Sequence, residues 1–140
     1  SYKSNLMSSI SIGVSRLRQV HPHNPVSVNR ADAKRLGIEN GDSVRITTPG
    51  GSVNGVAMVR DGVISGCIAI EHGYGHTELG AKLHYIDGKA MPYDQALGAG
   101  VNLNDLGFKD ITRENVSNVW IDWVSGAVVR QGLPARIEKY

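Results

Sequence analysis

A glycine-spaced loop, Gly73-Tyr74-Gly75-His76, carries the first residues of this sequence whose types and spacing could do chemistry. It directly follows the apolar run Cys67 to Glu71, which predicts a short strand. Glycine lets the backbone approach a ligand closely and supplies positive φ angles, and both favour the binding of phosphate groups by backbone N–H donors. The imidazole of His76 adds a donor, and Tyr74 could stack on a ring or donate its hydroxyl. The same loop could also be a plain turn.

A second set of polar side chains follows about 30 residues later, at Asn102, Asn104 and Asp105. Amide and carboxylate groups match the edges of aromatic rings that alternate hydrogen-bond donors and acceptors. Asp105, or alternatively Asp122, could accept a pair of N–H groups from such an edge. Arg130 could neutralise a phosphate. The two asparagines could instead be turn formers that bond their own backbone.

Several other chemistries are excluded by what the sequence lacks. The single cysteine, Cys67, rules out an internal disulfide and a multi-cysteine metal centre, and we predict that it is a buried core residue. His72 and His76 have the spacing of a helical metal site, but the glycines between them argue against a helix. The sequence contains neither a G-x-S-x-G motif nor a G-x-G-x-x-G at a strand-to-helix turn. We therefore predict no catalytic residue and no metal ligand in this chain.

The composition indicates which elements must position these residues. The 140 residues carry a net charge of +2 and are 41% hydrophobic, which favours one globular domain over disorder. Lysine and arginine are interspersed with acidic residues, and no apolar run reaches 18 residues, so neither nucleic-acid binding nor membrane insertion is expected. Seventeen glycines and 6% aromatics favour short strands joined by turns. We predict an extended arm over residues 1–20 and a single domain over 21–140.

The most regular pattern lies between residues 26 and 60. Asn29 is a predicted N-cap, with Asp32 as a capping-box acid, for a helix that ends with Gly37 in the left-handed conformation. A hairpin turn at Pro49-Gly50-Gly51 joins two alternating strands. The remaining predicted elements are a strand at Val26–Val28, a short helix within Thr77–Gly88, and strands at Val119–Val124 and Ala135–Lys139.

The order of several segments resembles the C-terminal dinucleotide-binding domain of the molybdenum and tungsten oxidoreductases related to dimethyl sulfoxide reductase. The matching segments are Asp32-Ala33, Leu36-Gly37-Ile38, Gly41-Asp42, Val44, Gly73-Tyr74-Gly75-His76, the run Gly100 to Leu106, Asp122 to Gly126, and Arg136 to Lys139. The chain departs from the pattern at Ser65-Gly66, where Pro-Gly is commoner, and at Trp123, where proline is expected. The resemblance covers roughly residues 20–140.

The resemblance implies a mainly β fold, a six-stranded double-psi β-barrel with a few short helices. It implies binding of bis-molybdopterin guanine dinucleotide, with the molybdenum ligand in another part of the parent protein. The cofactor-binding residues implied are Gly73, Tyr74, Gly75, His76, Asn102, Asn104, Asp105 and Arg130. The isolated chain would then be inactive, since an iron–sulfur cluster and most of the substrate pocket would lie elsewhere.

Within that family the sequence is similar to the reductases of tetrathionate, thiosulfate and polysulfide. This similarity implies a parent enzyme of anaerobic respiration that reduces a sulfur oxyanion. Its implied partners are the remaining domains of the catalytic polypeptide and an iron–sulfur electron-transfer subunit, in the periplasm or at the outer face of the cytoplasmic membrane. The alternative is a freestanding double-psi barrel that acts as a protein-interaction or substrate-recognition module. A self-contained small enzyme ranks last.

Overall fold

The computed structural model describes residues 13–78, 80–107, 122, 124–127 and 132–140. In chain order the described elements are α1 (Ser15–Val20), β1 (Val26–Val28), α2 (Arg30–Leu36), β2 (Ser43–Thr48), β3 (Gly51–Val59), β4 (Ile68–Ile70), β5 (His84–Ile86), β6 (Lys89–Met91), 3₁₀ helices at Gln95–Gly98 and Leu103–Leu106, and β7 (Arg136–Lys139). The chain divides into two compact units. The sheet unit contains Val26–Ala69 and Asn104–Tyr140, and the loop unit contains Tyr2–Pro25 and Ile70–Leu103.

A mixed five-stranded sheet, in the order β4-β1-β3-β2-β7, forms the centre of the sheet unit. β1 runs parallel to β3, whereas β2 is antiparallel to both β3 and β7. Alternation along β2 turns Val44 and Ile46 inward, and both are fully buried. Each such side chain contributes about 1.5–3 kcal/mol by leaving water. The predicted hairpin and the predicted closing strand are therefore confirmed.

Helix α2 begins and ends at the predicted residues. The side chain of Asn29 accepts a hydrogen bond from the N–H of Ala31, and Gly37 has a φ of 66°. The predicted capping-box role of Asp32 was wrong, because its carboxylate bonds groups outside the N-terminus of the helix. The carboxylate of Asp32 accepts hydrogen bonds from the N–H of Gly66 at 2.5 Å and from Arg35 at 3.1 Å. It therefore connects the turn at Gly66 to helix α2.

The loop unit differs from the sequence-based expectation in two elements. Residues 15–20 of the predicted extended arm form α1, while residues 1–12 lie outside the described part. The short helix predicted within Thr77–Gly88 was wrong, since the chain forms the β5–β6 hairpin there. Asp87 and Gly88 have φ angles of 49° and 75°, which is the geometry of a type I′ turn. An Asp-Gly pair favours that turn over helix.

The mainly β architecture with few short helices is confirmed, whereas closure into a six-stranded double-psi barrel stays a prediction. Cys67 is exposed, so its predicted burial was wrong, because β4 begins only at Ile68. The predicted strand at Val119–Val124 falls mainly on residues outside the described ranges. No helix among the described residues is both long and apolar enough to cross a membrane.

Candidate functional site

The predicted glycine loop leaves the end of β4 in an irregular conformation. Gly73 and Gly75 have φ angles of 96° and 66°, in the region that side chains rarely adopt. The N–H of Gly75 donates to the carbonyl of Ala99 at 2.9 Å, and the N–H of His76 donates to that of Leu97 at 3.2 Å. These two donors are therefore bonded within the protein and are not directed at a phosphate.

Close packing explains why glycine is needed at position 75. A Cβ there would lie 2.5 Å from the backbone nitrogen of Asn102 and 2.8 Å from the carbonyl carbon of Val101. Either contact is too short for an unstrained structure. The loop unit therefore brings the predicted glycine loop and the predicted Asn102 into direct backbone contact.

Tyr74 supports this loop from inside the protein. Its side chain is only 3% exposed and packs against Leu17 and Leu97. Its hydroxyl donates to the carbonyl of His21 at 3.2 Å, and the two rings meet edge to face with centroids 5.9 Å apart. A ring that is so deeply buried lacks the open face that stacking on a ligand requires.

His76 is half-buried and bonds within its own loop. Its Nε2 atom lies 3.1 Å from the carbonyl oxygen of Gly73, and because a carbonyl only accepts, Nε2 must be the donor. In the tautomer that this contact requires, the Nδ1 atom carries no proton and can only accept a hydrogen bond. The predicted role of His76 as a ligand contact stays a prediction.

Asn24 holds the loop unit together, and sequence reasoning missed it. Its Nδ2 atom donates to the carbonyls of Glu71 at 2.6 Å and Val101 at 2.9 Å. Its Oδ1 atom accepts from the N–H of Val101 at 2.6 Å. The buried amide thus joins the residue after β4 to the segment that contacts the glycine loop. The Asn24-Pro25 pair signals a turn, but no local signal could reveal partners 47 and 77 residues away.

A contact between a histidine and a buried carboxylate lies beside Asn24. The carboxylate of Glu71 is fully buried, and its Oε2 atom lies 3.0 Å from Nε2 of His21. A buried carboxylate is costly unless a charged or hydrogen-bonding partner compensates it. The pair ties the segment before β1 to the start of the glycine loop.

The other predicted site residues divide between the units. Asn102 is half-buried in the loop unit, whereas Asn104 and Asp105 are exposed in the 3₁₀ helix Leu103–Leu106 and belong to the sheet unit. Thr48 anchors that 3₁₀ helix, because its hydroxyl donates to the carbonyl of Leu106 at 3.0 Å. Arg130 lies outside the described residues.

Asp122, the alternative to Asp105 for accepting a pair of N–H groups, forms hydrogen bonds within its own turn. The Oδ1 atom of Asp122 accepts from the N–H groups of Val124 and Ser125 and from the Ser125 hydroxyl, at 3.1, 2.7 and 2.8 Å. These hydrogen bonds lower the pKa of Asp122 below its usual value, the Ser125 N–H contributing most. Bidentate acceptance needs both carboxylate oxygens, and one oxygen of Asp122 already serves its own turn.

No group of three or more potential metal ligands occurs among the residues that the structure describes. Among the predicted site residues, the polar side chains that are half-buried or exposed are those of His76, Asn102, Asn104 and Asp105. Each of these groups can form a hydrogen bond with a polar atom of a ligand, and none of the four is a nucleophile paired with a base.

Comparison with known proteins identifies relatives for most of the chain. Residues 2–118 match a family model described as "Molydopterin dinucleotide binding domain". The chain is 56% identical over 139 residues to a tetrathionate reductase subunit of Salmonella typhimurium, covering 99% of this chain and 14% of the relative.

Two further relatives have names of the same kind. The chain is 33% identical over 113 residues to the molybdopterin-containing subunit of the arsenate respiratory reductase of Chrysiogenes arsenatis, covering 81% of this chain and 12% of the relative. It is 48% identical over 59 residues to a tetrathionate reductase subunit of Archaeoglobus fulgidus, covering 42% of this chain and 5% of the relative. The chain thus spans 14% or less of the length of these relatives.

Proposed function

The chain belongs to the molybdopterin dinucleotide-binding domain family, and from this premise we propose that it holds the guanine dinucleotide arms of a bis-molybdopterin cofactor within a larger reductase. The observation that carries the proposal is the 56% identity over 139 residues to a tetrathionate reductase subunit. Because the chain spans 14% of that relative, catalysis belongs to the whole protein.

Several side chains match the polar parts of such a cofactor by their chemistry. The exposed carboxylate of Asp105 can accept the ring N–H and the exocyclic amine of guanine together, which adenine cannot match. The amide groups of Asn102 and Asn104 can pair with the donor and acceptor edge of a pterin or a guanine. With Nε2 donating to Gly73, the Nδ1 atom of His76 can accept a hydrogen bond from an N–H group of the pterin or guanine.

Gly73, Tyr74 and Gly75 have a different role in this proposal. Their backbone shapes the loop, and the N–H of Gly75 fixes it to Ala99, so that His76 and Asn102 keep their positions without a ligand. A site that is ordered beforehand loses less entropy when it binds. Arg130, a charged residue outside the described ranges, remains the proposed phosphate contact.

We propose that the parent enzyme reduces tetrathionate. Two electrons break the central S–S bond, and each half leaves as thiosulfate, so that no proton is required. The bound molybdenum centre would supply the two-electron chemistry, with its protein ligand elsewhere in the polypeptide. The residues of this chain bind and orient the cofactor without touching the sulfur oxyanion.

The assembly and location follow the same family reasoning. We propose an iron–sulfur cluster in the remaining domains, a separate iron–sulfur subunit that donates electrons, and a position in the periplasm or at the outer face of the cytoplasmic membrane. For the fold we propose a six-stranded double-psi barrel. The parallel pairing of β1 with β3, next to the antiparallel β2–β3 hairpin, supports that topology.

The test is an NMR titration of the isotope-labelled chain with GDP, with ADP and zinc as controls. We expect GDP to shift the signals of Gly73, His76, Asn102 and Asp105, and we expect ADP to have a much smaller effect. Asp105→Asn should abolish the preference for GDP, whereas the matched variant Asp122→Asn should keep it. Equal shifts with GDP and ADP would contradict guanine recognition, and zinc shifts at His72 and His76 would favour a metal site instead.

A further inference from the structure

We propose that the β5–β6 hairpin is a docking arm that binds an apolar surface elsewhere in the longer polypeptide. Its apolar side chains are unusually open to solvent: Leu83 is 50% exposed, Tyr85 64% and Ile86 53%. Together with Tyr93, which is also exposed, they form what we call the hairpin patch. Exposed apolar residues that cluster on one element mark interaction sites more often than isolated ones do.

Both faces of the hairpin carry this apolar character. Tyr85 pairs with Ala90 across the strands, and Ile86 pairs with Lys89. Successive side chains of a strand point to opposite faces, so Tyr85 and Ile86 lie on opposite sides of the hairpin. The arm therefore presents apolar surface in two directions, as an element that inserts between packed segments does.

The local backbone geometry pre-shapes the arm. Asp87 and Gly88 form a type I′ turn, whose twist matches that of the two strands. A two-stranded hairpin is nevertheless marginal in water, because it buries little apolar surface of its own. Every residue of β5 is exposed, and Met91 is the one residue of β6 that is half-buried. Such a hairpin gains stability when another surface covers it.

The charges at the hairpin indicate the rim of its binding surface. Lys82 and Lys89 are exposed at its two sides, and Asp87 lies at the turn. Neither lysine forms an ion pair with a carboxylate in the described part of the chain. We therefore expect the partner surface to be apolar at its centre and to carry carboxylates at its edge.

The length of the relatives identifies the occupant. This chain covers 14% of the tetrathionate reductase subunit that it matches at 56% identity, so most of a related polypeptide lies outside it. That remainder is covalently linked and present at high effective concentration, which favours it over a second copy of this chain. The proposal rests on the proposed function only in requiring that longer polypeptide.

Hydroxyl-radical footprinting tests the proposal without any mutation. Tyr85 and Tyr140 are matched probes, because they are 64% and 67% exposed. In the 140-residue chain the two tyrosines should be oxidised at similar rates. In the longer polypeptide we expect the rate at Tyr85 to fall at least fivefold relative to Tyr140. An unchanged ratio would overturn the proposal, and so would protection in the short chain that rises with its concentration, since that would indicate a dimer.

Paired variants of the longer polypeptide provide a second readout. Tyr85→Ser and Ile86→Ser, which affect opposite faces, should each restore oxidation of Tyr93 at least threefold. Ile64→Ser removes an exposed apolar side chain from the sheet unit and should leave Tyr93 protected. Equal effects of all three variants would contradict docking through the hairpin. The footprint is recorded without nucleotide, so failure of GDP binding would not alter it.

Discussion

The sheet unit and the loop unit are held together by different forces. In the sheet unit, Val26, Val28, Val44 and Ile46 have no exposed surface, and strand pairing satisfies their backbone groups. In the loop unit, much of the described structure depends on side chains that bond distant backbone atoms, above all Asn24. Apolar burial is non-directional and tolerates small shifts, whereas several directional hydrogen bonds from one side chain fix the positions of individual atoms. Fixed atomic positions suit the role that we propose for this loop, the presentation of polar groups to a cofactor.

The largest effect should come from the apolar core of the sheet unit. Ile46→Ala removes a fully buried side chain from the middle of β2, and we expect it to lower the free energy of unfolding by about 2–5 kcal/mol. Chemical denaturation would measure the loss. Ile64→Ala, at an exposed position, is the control and should change stability by less than about 0.5 kcal/mol. Similar losses from both variants would show that the sheet core is not the main source of stability.

The second-largest loss of stability is expected when the buried hydrogen bonds of Asn24 are removed. Asn24→Ala would leave the N–H and carbonyl of Val101 and the carbonyl of Glu71 without their buried partner. Because water and small backbone shifts can compensate in part, we expect a total loss of about 1–3 kcal/mol. We expect faster hydrogen exchange at Val101 and Gly75 and unchanged exchange along β2 and β3. Asn54→Ala, which removes an exposed contact to Arg45, is the control. Faster exchange in both units would contradict the division between them.

A smaller effect is expected from the His21–Glu71 pair. His21→Ala would leave the fully buried Glu71 carboxylate without this partner. Because His21 remains partly exposed, water can compensate in part, and we expect a loss of about 1–2 kcal/mol. Glu71→Gln keeps the shape and removes the charge, so it should recover part of that loss in the His21→Ala background. A double-mutant cycle measures the coupling, and additive losses would show that the pair does not interact.

The smallest expected effect is a pH dependence confined to the sheet unit. Hydrogen bonds from Gly66 and Arg35 lower the pKa of Asp32 below its ordinary value of 3.8, and the Lys139 ammonium and the Glu39 N–H lower that of Asp42. A carboxyl with a lowered folded pKa contributes stability above its unfolded pKa and loses it as the pH falls through the folded value. Denaturation between pH 5 and pH 2, values chosen to bracket the ordinary carboxyl range of about 4, should show this loss.

Asp32→Asn is the informative variant for that titration. It should be less stable than the unmodified protein at pH 5 and should lose less stability on acidification, because one of the titrating groups is gone. Asp87→Asn alters an exposed residue at the hairpin turn and serves as the control. An identical pH dependence for Asp32→Asn and the unmodified protein would show that Asp32 does not contribute.

Local chemistry made the sheet unit predictable. The cap at Asn29, the left-handed Gly37 and the turn at Pro49-Gly50-Gly51 each depend on residues within a few positions, and the structure confirms all three. The Asp87-Gly88 turn is equally local. The helix expected there was wrong because an Asp-Gly pair favours the positive φ angles of a hairpin turn, which a helix cannot contain.

The candidate site was predictable only in part. The glycine loop and Asn102 stand out by residue type, and the structure packs Gly75 against the backbone of Asn102. The burial of Tyr74 and the engagement of the Gly75 and His76 N–H groups could not be predicted, because they depend on Leu17, Leu97 and Ala99 from other segments. Their ligand contacts remain predictions that the GDP titration tests.

The sequence by itself determined the family, the mainly β composition and the short elements between residues 26 and 60, because these follow from residue types and local spacing. The tertiary structure alone decided that Asn24 and Glu71 hold the loop unit together, since their partners are distant in sequence and meet only when the chain folds. It also decided that Tyr74 faces inward and that the hairpin patch faces solvent. Burial depends on what surrounds a side chain after folding, and a local pattern does not contain that information.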